Sequence, residues 1–86
     1  MAAYTPLVEQ DNVRISLTQD EALVLFEWLS RIDEQTNDFG DLVEDQAEQR
    51  ALWNLTCLLE RELVQPFSAN YAELVEQARS RLRDEG

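Results

Sequence analysis

The spacing of hydrophobic residues along the chain predicts a long buried helix in its first half, over residues 17–33. Thr18 and Glu21 have the spacing of a capping box, so we expect this helix to begin at Thr18. Its apolar residues spread over an arc of about 200°, whereas a helix lying on a surface needs only about 100°. We therefore expect this helix to be the central one, covered on two sides, with Phe26 and Trp28 in the core.

The same pattern predicts three helices in all, over about residues 18–35, 43–64 and 69–83. The polar segment 37–40 should end the first helix, because Gly40 can adopt the positive φ angle of a helix C-terminal turn. The third helix has only a narrow apolar stripe, so we expect it to lie at the periphery of the fold.

The second predicted helix carries apolar residues on more than one face. We expect it to begin between Asp41 and Asp45, because each of these precedes a glutamate by three positions. The main apolar face contains Ala47, Ala51, Leu52, Leu55, Leu58, Leu59 and Leu63. Trp53, Cys57 and Val64 fall about 120° away and form a second stripe, which either the N-terminal residues or a partner molecule should cover. For Cys57 the sequence favours a buried, small hydrophobic side chain over a reactive thiol.

The N-terminal residues favour a short β element. Hydrophobic and polar residues alternate over Val13–Leu17, which is typical of a half-buried strand. Tyr4–Gln10 is a second candidate, and Pro6 restricts it to the edge of a sheet. The predicted fold is therefore mainly α: a three-helix bundle with a short N-terminal β-strand or hairpin as a minor α+β element, in a single domain of residues 1–86.

The charge balance predicts a strongly acidic surface for this helical fold. Eighteen acidic residues face seven arginines, the net charge is −11, and the sequence contains no lysine and no histidine. Such a charge repels nucleic-acid phosphates and anionic membrane surfaces, and it attracts basic proteins. The acids are densest between the first two helices, and we call the seven of them there the acidic joint: Asp33, Glu34, Asp38, Asp41, Glu44, Asp45 and Glu48. The alternative interpretation is that the acidity only keeps a small protein soluble.

The residue types present exclude most catalytic and metal-binding arrangements. A chain without histidine and lysine has no His-dependent triad and no Schiff-base lysine, and the single cysteine, Cys57, cannot build a thiolate zinc site. Two glycines cannot form a phosphate-binding loop. An EF-hand loop counted around Gly40 would place Gln35, Asn37 and Phe39 at its first calcium-ligand positions, which does not fit calcium. We expect no enzymatic activity, no cofactor and no dedicated metal site.

Acidity without catalytic chemistry favours a non-enzymatic binding protein that regulates or neutralises a basic protein partner through the acidic joint. In size and charge the chain is similar to bacterial immunity proteins, antitoxins and phage inhibitors; the likeness lies in composition and has no residue-by-residue correspondence. One form of this hypothesis is a DNA mimic, in which carboxylates take the place of phosphates. The alternative function is that of a small self-associating structural or assembly protein with no specific ligand.

A homodimer is also predicted, with Trp53, Cys57 and Val64 at or beside its interface, because a small domain buries little surface on its own.

The N-terminal sequence lacks the basic and apolar regions of a signal peptide, and no apolar run approaches the length of about 20 residues that a bilayer requires. We therefore expect a cytoplasmic protein that does not enter a membrane and does not bind nucleic acid directly.

Overall fold

The computed structural model describes residues 12–85, and within them the chain is mainly helical. Helix α1 spans Gln19–Gln35, α2 spans Gln46–Glu62 and α3 spans Tyr71–Glu85, with one turn of 3-10 helix at Gln65–Phe67 between the last two. The prediction of three helices is confirmed, with ends that lie within a few residues of those expected. Among the helices of residues 12–85, none is long and apolar enough to cross a membrane.

Local capping explains where the first two helices begin. The Thr18 side chain accepts a hydrogen bond from the Glu21 backbone N–H at 3.1 Å, and the Glu21 carboxylate accepts one from the Thr18 N–H at 2.8 Å. The predicted capping box is therefore present, and it satisfies two N–H groups that the helix itself leaves unpaired. Of the two predicted starts of α2, the chain uses the later one, where the Asp45 carboxylate accepts from the Ala47 N–H at 2.7 Å.

Helix α1 lies between the other two helices, as its wide apolar arc predicted. One buried cluster joins α1 to α2 and to the loop between them; it consists of Phe26, Leu29, Phe39, Leu59 and Leu63. A second cluster joins α1 to α3 and consists of Leu23, Val75 and Ala78. Within residues 12–85 the two clusters share no buried residue, so α1 divides the core into two parts.

Two polar contacts hold α3 antiparallel to α1. Near the start of α3, the Tyr71 hydroxyl donates a hydrogen bond to the Glu27 carboxylate at 2.8 Å. Near its end, the Arg81 guanidinium donates two hydrogen bonds to the Asp20 carboxylate, both at 2.8 Å. Burial, followed by the hydrogen bond to Glu27, raises the pKa of Tyr71. The hydrogen bonds from Arg81 lower the pKa of Asp20, because they stabilise its ionised form.

The connection from α1 to α2 makes a left-handed turn without using glycine for it. Asn37, Asp38 and Phe39 have φ angles of 54°, 61° and 69°, whereas Gly40 does not have a positive φ. The prediction that Gly40 takes the positive φ is therefore wrong. Instead, the Gly40 N–H donates to the Asn37 carbonyl oxygen at 3.0 Å, and a Cβ at position 40 would lie only 3.1 Å from that oxygen. A side chain at position 40 would therefore crowd the backbone of this turn, and glycine avoids that contact.

The predicted strand Val13–Leu17 is absent from the structure, because residues 12–18 form neither strand nor helix. A strand needs a neighbour that accepts and donates its backbone hydrogen bonds, and no residue between 12 and 85 lies in a sheet. Alternating hydrophobic residues indicate a segment with one apolar and one polar face, but they do not supply the second strand with which it would pair. The other predicted arm, Tyr4–Gln10, lies outside the described residues.

Four side chains that were expected on the buried faces of the helices are exposed to solvent: Trp28, Ala47, Ala51 and Leu58. Trp28 lies on α1 between Glu27, which contacts α3, and Leu29, which packs towards α2. Because successive residues of a helix point about 100° apart, the Trp28 side chain points between the two neighbouring helices and is exposed. On α2 the buried or half-buried hydrophobic residues are Leu52, Leu55 and Leu59, and Leu63, directly after its end, is also buried. Ala47, Ala51 and Leu58 are exposed, because they lie at the edge of that face and only α1 covers it.

Candidate functional site

The acidic joint surrounds the left-handed turn that links α1 to α2. Six of its carboxylates belong to exposed residues: Glu34, Asp38, Asp41, Glu44, Asp45 and Glu48. Asp33, in the last turn of α1, is half-buried. Between Arg31 and Arg50 the sequence contains these seven acids and no basic residue. The structure therefore gathers most of the net charge of the molecule at one end of α1.

Short hydrogen bonds fix the backbone that carries these carboxylates. The Asp38 N–H donates to the Asp33 carbonyl oxygen at 3.0 Å, and the Gln49 side chain donates to the Asp38 carbonyl oxygen at 2.6 Å. At the start of α2, the Glu48 carboxylate accepts from the Glu44 N–H at 2.8 Å. The backbone of the joint is thus hydrogen-bonded to residues of both helices.

The Phe39 side chain packs into the hydrophobic core and thereby attaches the acidic joint to it. Its side chain is only 1 % exposed and packs in the cluster of Phe26, Leu29 and Leu59, although its sequence neighbours Asp38 and Gly40 are exposed. Sequence reasoning missed Phe39 because it lies in a polar loop with no periodic pattern. The one signal was that this segment contains a single aromatic residue among acids and amides.

Asp33 lies in an environment that shifts its pKa. Burial, followed by the charge and hydrogen bond of Asp38 and the charge of Glu34, raises the pKa of Asp33, and a hydrogen bond from the Trp53 side chain acts in the opposite direction. Its Oδ1 atom is buried without a hydrogen-bond partner. The Asp33 and Asp38 carboxyl groups are therefore close enough to repel each other when both are ionised.

No carboxylate of the acidic joint takes part in an ion pair within residues 12–85. The arginines that do form ion pairs use other acids: Arg81 binds Asp20 at 2.8 Å, Arg79 binds Glu76 at 2.9 Å, and Arg31 lies 3.9 Å from Glu27. In the part of the chain described, no group of three or more Cys, Asp or Glu side chains is arranged to hold a metal ion. The joint is therefore an unneutralised anionic surface, and what it offers chemically is charge and hydrogen-bond acceptors.

The predicted interface residues Trp53, Cys57 and Val64 do not form one stripe. Trp53 is partly exposed beside Asp33, whereas Val64 lies beyond the end of α2 and is exposed. Cys57 is exposed, so the expectation of a buried thiol is wrong; on α2 it points about 160° away from Leu59, which faces α1. The predicted homodimer interface stays a prediction.

A groove at the opposite end of α1 was not predicted. It has a volume of about 1150 Å³ and lies between residues 12–18, the start of α1 and the second half of α2. Its apolar lining includes Val13, Ile15, Leu17, Leu55, Leu58 and Leu63, and Arg14 and Glu62 supply its charges. Val13 and Ile15 therefore lie near Leu58, about 140° around α2 from Trp53, rather than over Trp53.

No protein-family model, no curated protein and no solved structure matches this chain. What supports a function for it is therefore the charge, exposure and packing of residues 12–85.

Proposed function

We propose that this chain is a non-enzymatic binding protein that regulates or neutralises a basic protein partner through the acidic joint. The observation that carries the proposal is that seven carboxylates lie together without a basic residue between Arg31 and Arg50, and none of them forms an ion pair within residues 12–85. If acidity served solubility alone, mixed charges spread over the surface would suffice. A concentrated group of carboxylates without ion-pair partners is better suited to bind a complementary, basic surface.

The physical role of the joint in this proposal is to steer and orient the partner. Opposite charge raises association rates and fixes the register of two surfaces, and its effect falls as salt is added. A partner that uses arginines or lysines to bind nucleic acid would present the required surface, and the carboxylates would then take the positions of phosphates. The hydrogen-bonded turn that carries these carboxylates lowers the cost of ordering the backbone on binding.

Two variants of equal charge test the proposal. In the joint variant, Glu34→Gln, Asp41→Asn and Glu44→Gln remove three exposed carboxylates and spare Asp33 and the helix cap at Asp45. In the control variant, Glu60→Gln, Glu73→Gln and Asp84→Asn remove three exposed carboxylates from α2 and α3. Each variant loses three of the eleven net negative charges, so both carry a net charge of −8.

The experiment is capture of proteins from a cell extract at low ionic strength on the immobilised full chain, with identification by mass spectrometry. We expect one or a few basic proteins on the wild type and the control variant, lost from the joint variant and released by salt. Retention of the same proteins by both variants would show that net charge alone is responsible, and no retained protein at all would count against a basic partner.

A further inference from the structure

The groove at the N-terminal end of α1 has the composition of a protein interface rather than of a solvated surface. Val13 is 87 % exposed, Ile15 is 74 % exposed and Leu58 is 50 % exposed, and all three line the same groove. Single exposed apolar side chains are ordinary, but a contiguous group of them marks a surface that binds another molecule. The groove is therefore a candidate binding surface distinct from the acidic joint.

We propose that this groove is the surface through which two copies of the chain associate. A two-fold interface places the same surface on both sides, so a suitable surface must be complementary to itself. The groove meets this condition, because its charged lining residues are one cation and one anion, Arg14 and Glu62. Across a two-fold axis, Arg14 of each copy can approach Glu62 of the other while Val13, Ile15 and Leu58 of both copies are buried between them.

The location of the groove makes self-association compatible with the net charge of −11. The acidic joint and the groove lie at opposite ends of α1, whose 17 residues span about 25 Å at about 1.5 Å per residue. At physiological ionic strength charges are largely screened beyond about 8 Å. Two copies joined at their grooves therefore keep their acidic joints apart and exposed. A two-fold interface around Trp53, beside Asp33, would bring the two joints together instead.

Two leucines of similar exposure allow a matched test. Leu58 in the groove is 50 % exposed, and Leu42 in the loop before α2 is 57 % exposed. The molar mass of the full-length wild type, Leu58→Glu, Leu42→Glu and Trp53→Glu is measured by light scattering and sedimentation from about 1 µM to about 1 mM, a range that covers weak to moderate dimers. We expect the wild type and Leu42→Glu to reach twice the monomer mass of 10.0 kDa, and Leu58→Glu to remain a monomer with unchanged helix content.

Charge reversal at Arg14 and Glu62 tests the same interface independently, through its effect on dimerisation. We expect Arg14→Glu and Glu62→Arg each to weaken dimerisation at least tenfold, and the two together to restore it, because the reversed pair can still form across the axis. A wild type that stays monomeric throughout this concentration range would overturn the proposal and leave residues 1–11 or a foreign protein as the occupant. Loss of the dimer in Trp53→Glu but not in Leu58→Glu would also overturn it and would place the interface at Trp53.

Discussion

Phe39 is the residue on which the geometry of the acidic joint depends most. It is 1 % exposed, it has a φ angle of 69°, and it packs under a turn whose other residues face solvent. A positive φ is unfavourable for a residue with a large side chain, so the packing of the ring must outweigh that backbone cost. The core thereby holds the turn in the conformation that presents the carboxylates.

The first prediction follows from this anchoring. Phe39→Ala should lower the free energy of unfolding by about 3–5 kcal/mol, the usual cost of deleting a buried phenylalanine side chain. Phe67→Ala is the matched control, because Phe67 is 77 % exposed and should cost less than about 0.5 kcal/mol. Urea denaturation followed by circular dichroism measures both values. Similar values for the two variants would show that Phe39 does not hold the joint to the core.

Asp33 supplies a pH-dependent prediction. Its pKa is raised in the folded chain by burial and by Asp38, so the folded form holds the proton more tightly than the unfolded form does. Its ionisation therefore destabilises the fold increasingly as the pH rises from the unfolded value of about 3.9 through the raised folded value. Asp33→Asn removes this effect, and the melting temperature of the variant minus that of the wild type should increase from pH 4 to neutral pH and then level off.

The control for this experiment is Glu34→Gln, which removes a neighbouring but exposed carboxylate. Its difference in melting temperature from the wild type should change less with pH than that of Asp33→Asn. A variant Asp33→Asn that is less stable than the wild type at neutral pH would mean that the Asp33 carboxylate is favourably paired, for example through Trp53.

Among the helices, α1 is central because it has two buried faces. The contact between α1 and α3 includes a small residue of α3. Ala78 is fully buried against Leu23, next to Val75. A small side chain lets two helices approach closely, whereas a larger one in a well-packed contact forces them apart. The contact between α1 and α3 therefore depends on the size of the residue at position 78.

Ala78→Leu should accordingly lower the free energy of unfolding by about 1–3 kcal/mol through overpacking. Ala72→Leu makes the same change at an exposed position of the same helix and should have little effect. Chemical denaturation of both variants distinguishes them. Equal stabilities would indicate that α3 can shift along α1 without cost, contrary to a fixed packing of the two helices.

The sequence was sufficient to predict the helices and the start of α1, and it narrowed the start of α2 to the range from Asp41 to Asp45, because capping is local. The capping box of Thr18 and Glu21 and the N-cap at Asp45 depend on residues within a few positions of each other, and their spacing can be read from the chain. The central position of α1 was also predictable, because an apolar arc wider than one neighbour can cover requires a second neighbour.

The features that escaped prediction depend on contacts between distant residues. The burial of Phe39 depends on where Leu59 falls on α2, and the exposure of Trp28 depends on α2 and α3 packing on different faces of α1. The residue alternation at 13–17 describes a strand only if a second strand is present. For the candidate site, the sequence supplied the positions of the acids but could not show that they are unpaired, because that required the partners of every arginine.

At the scale of the whole molecule, two different surfaces lie at the two ends of α1. The acidic joint lies where α1 meets the loop to α2, and the groove lies where α1 begins and α2 ends. The first is charged and the second mainly apolar, so they suit partners of different chemistry. Self-repulsion within the joint should destabilise the folded chain when it is not screened.

This repulsion predicts the effect of salt on stability. Raising sodium chloride from about 0.01 M to about 1 M shortens the screening length from about 30 Å to about 3 Å. The melting temperature of the wild type should rise over this range, and that of the joint variant, Glu34→Gln, Asp41→Asn and Glu44→Gln, should rise less. Differential scanning calorimetry provides the measurement. A melting temperature that falls with salt would mean that attractive ion pairs outweigh the repulsion within the joint.

The most direct test of the proposed function is to find where a basic molecule binds. A chain labelled with ¹⁵N is titrated with an oligo-arginine peptide at low ionic strength, and the amide signals are followed by two-dimensional NMR. The account predicts that the largest shifts fall on residues 33–48, that the Trp53 indole signal moves with them, and that added salt reverses both. Largest shifts at the groove, or equal shifts at the exposed acids Glu60, Glu73 and Asp84, would contradict the assignment of the acidic joint as the binding surface.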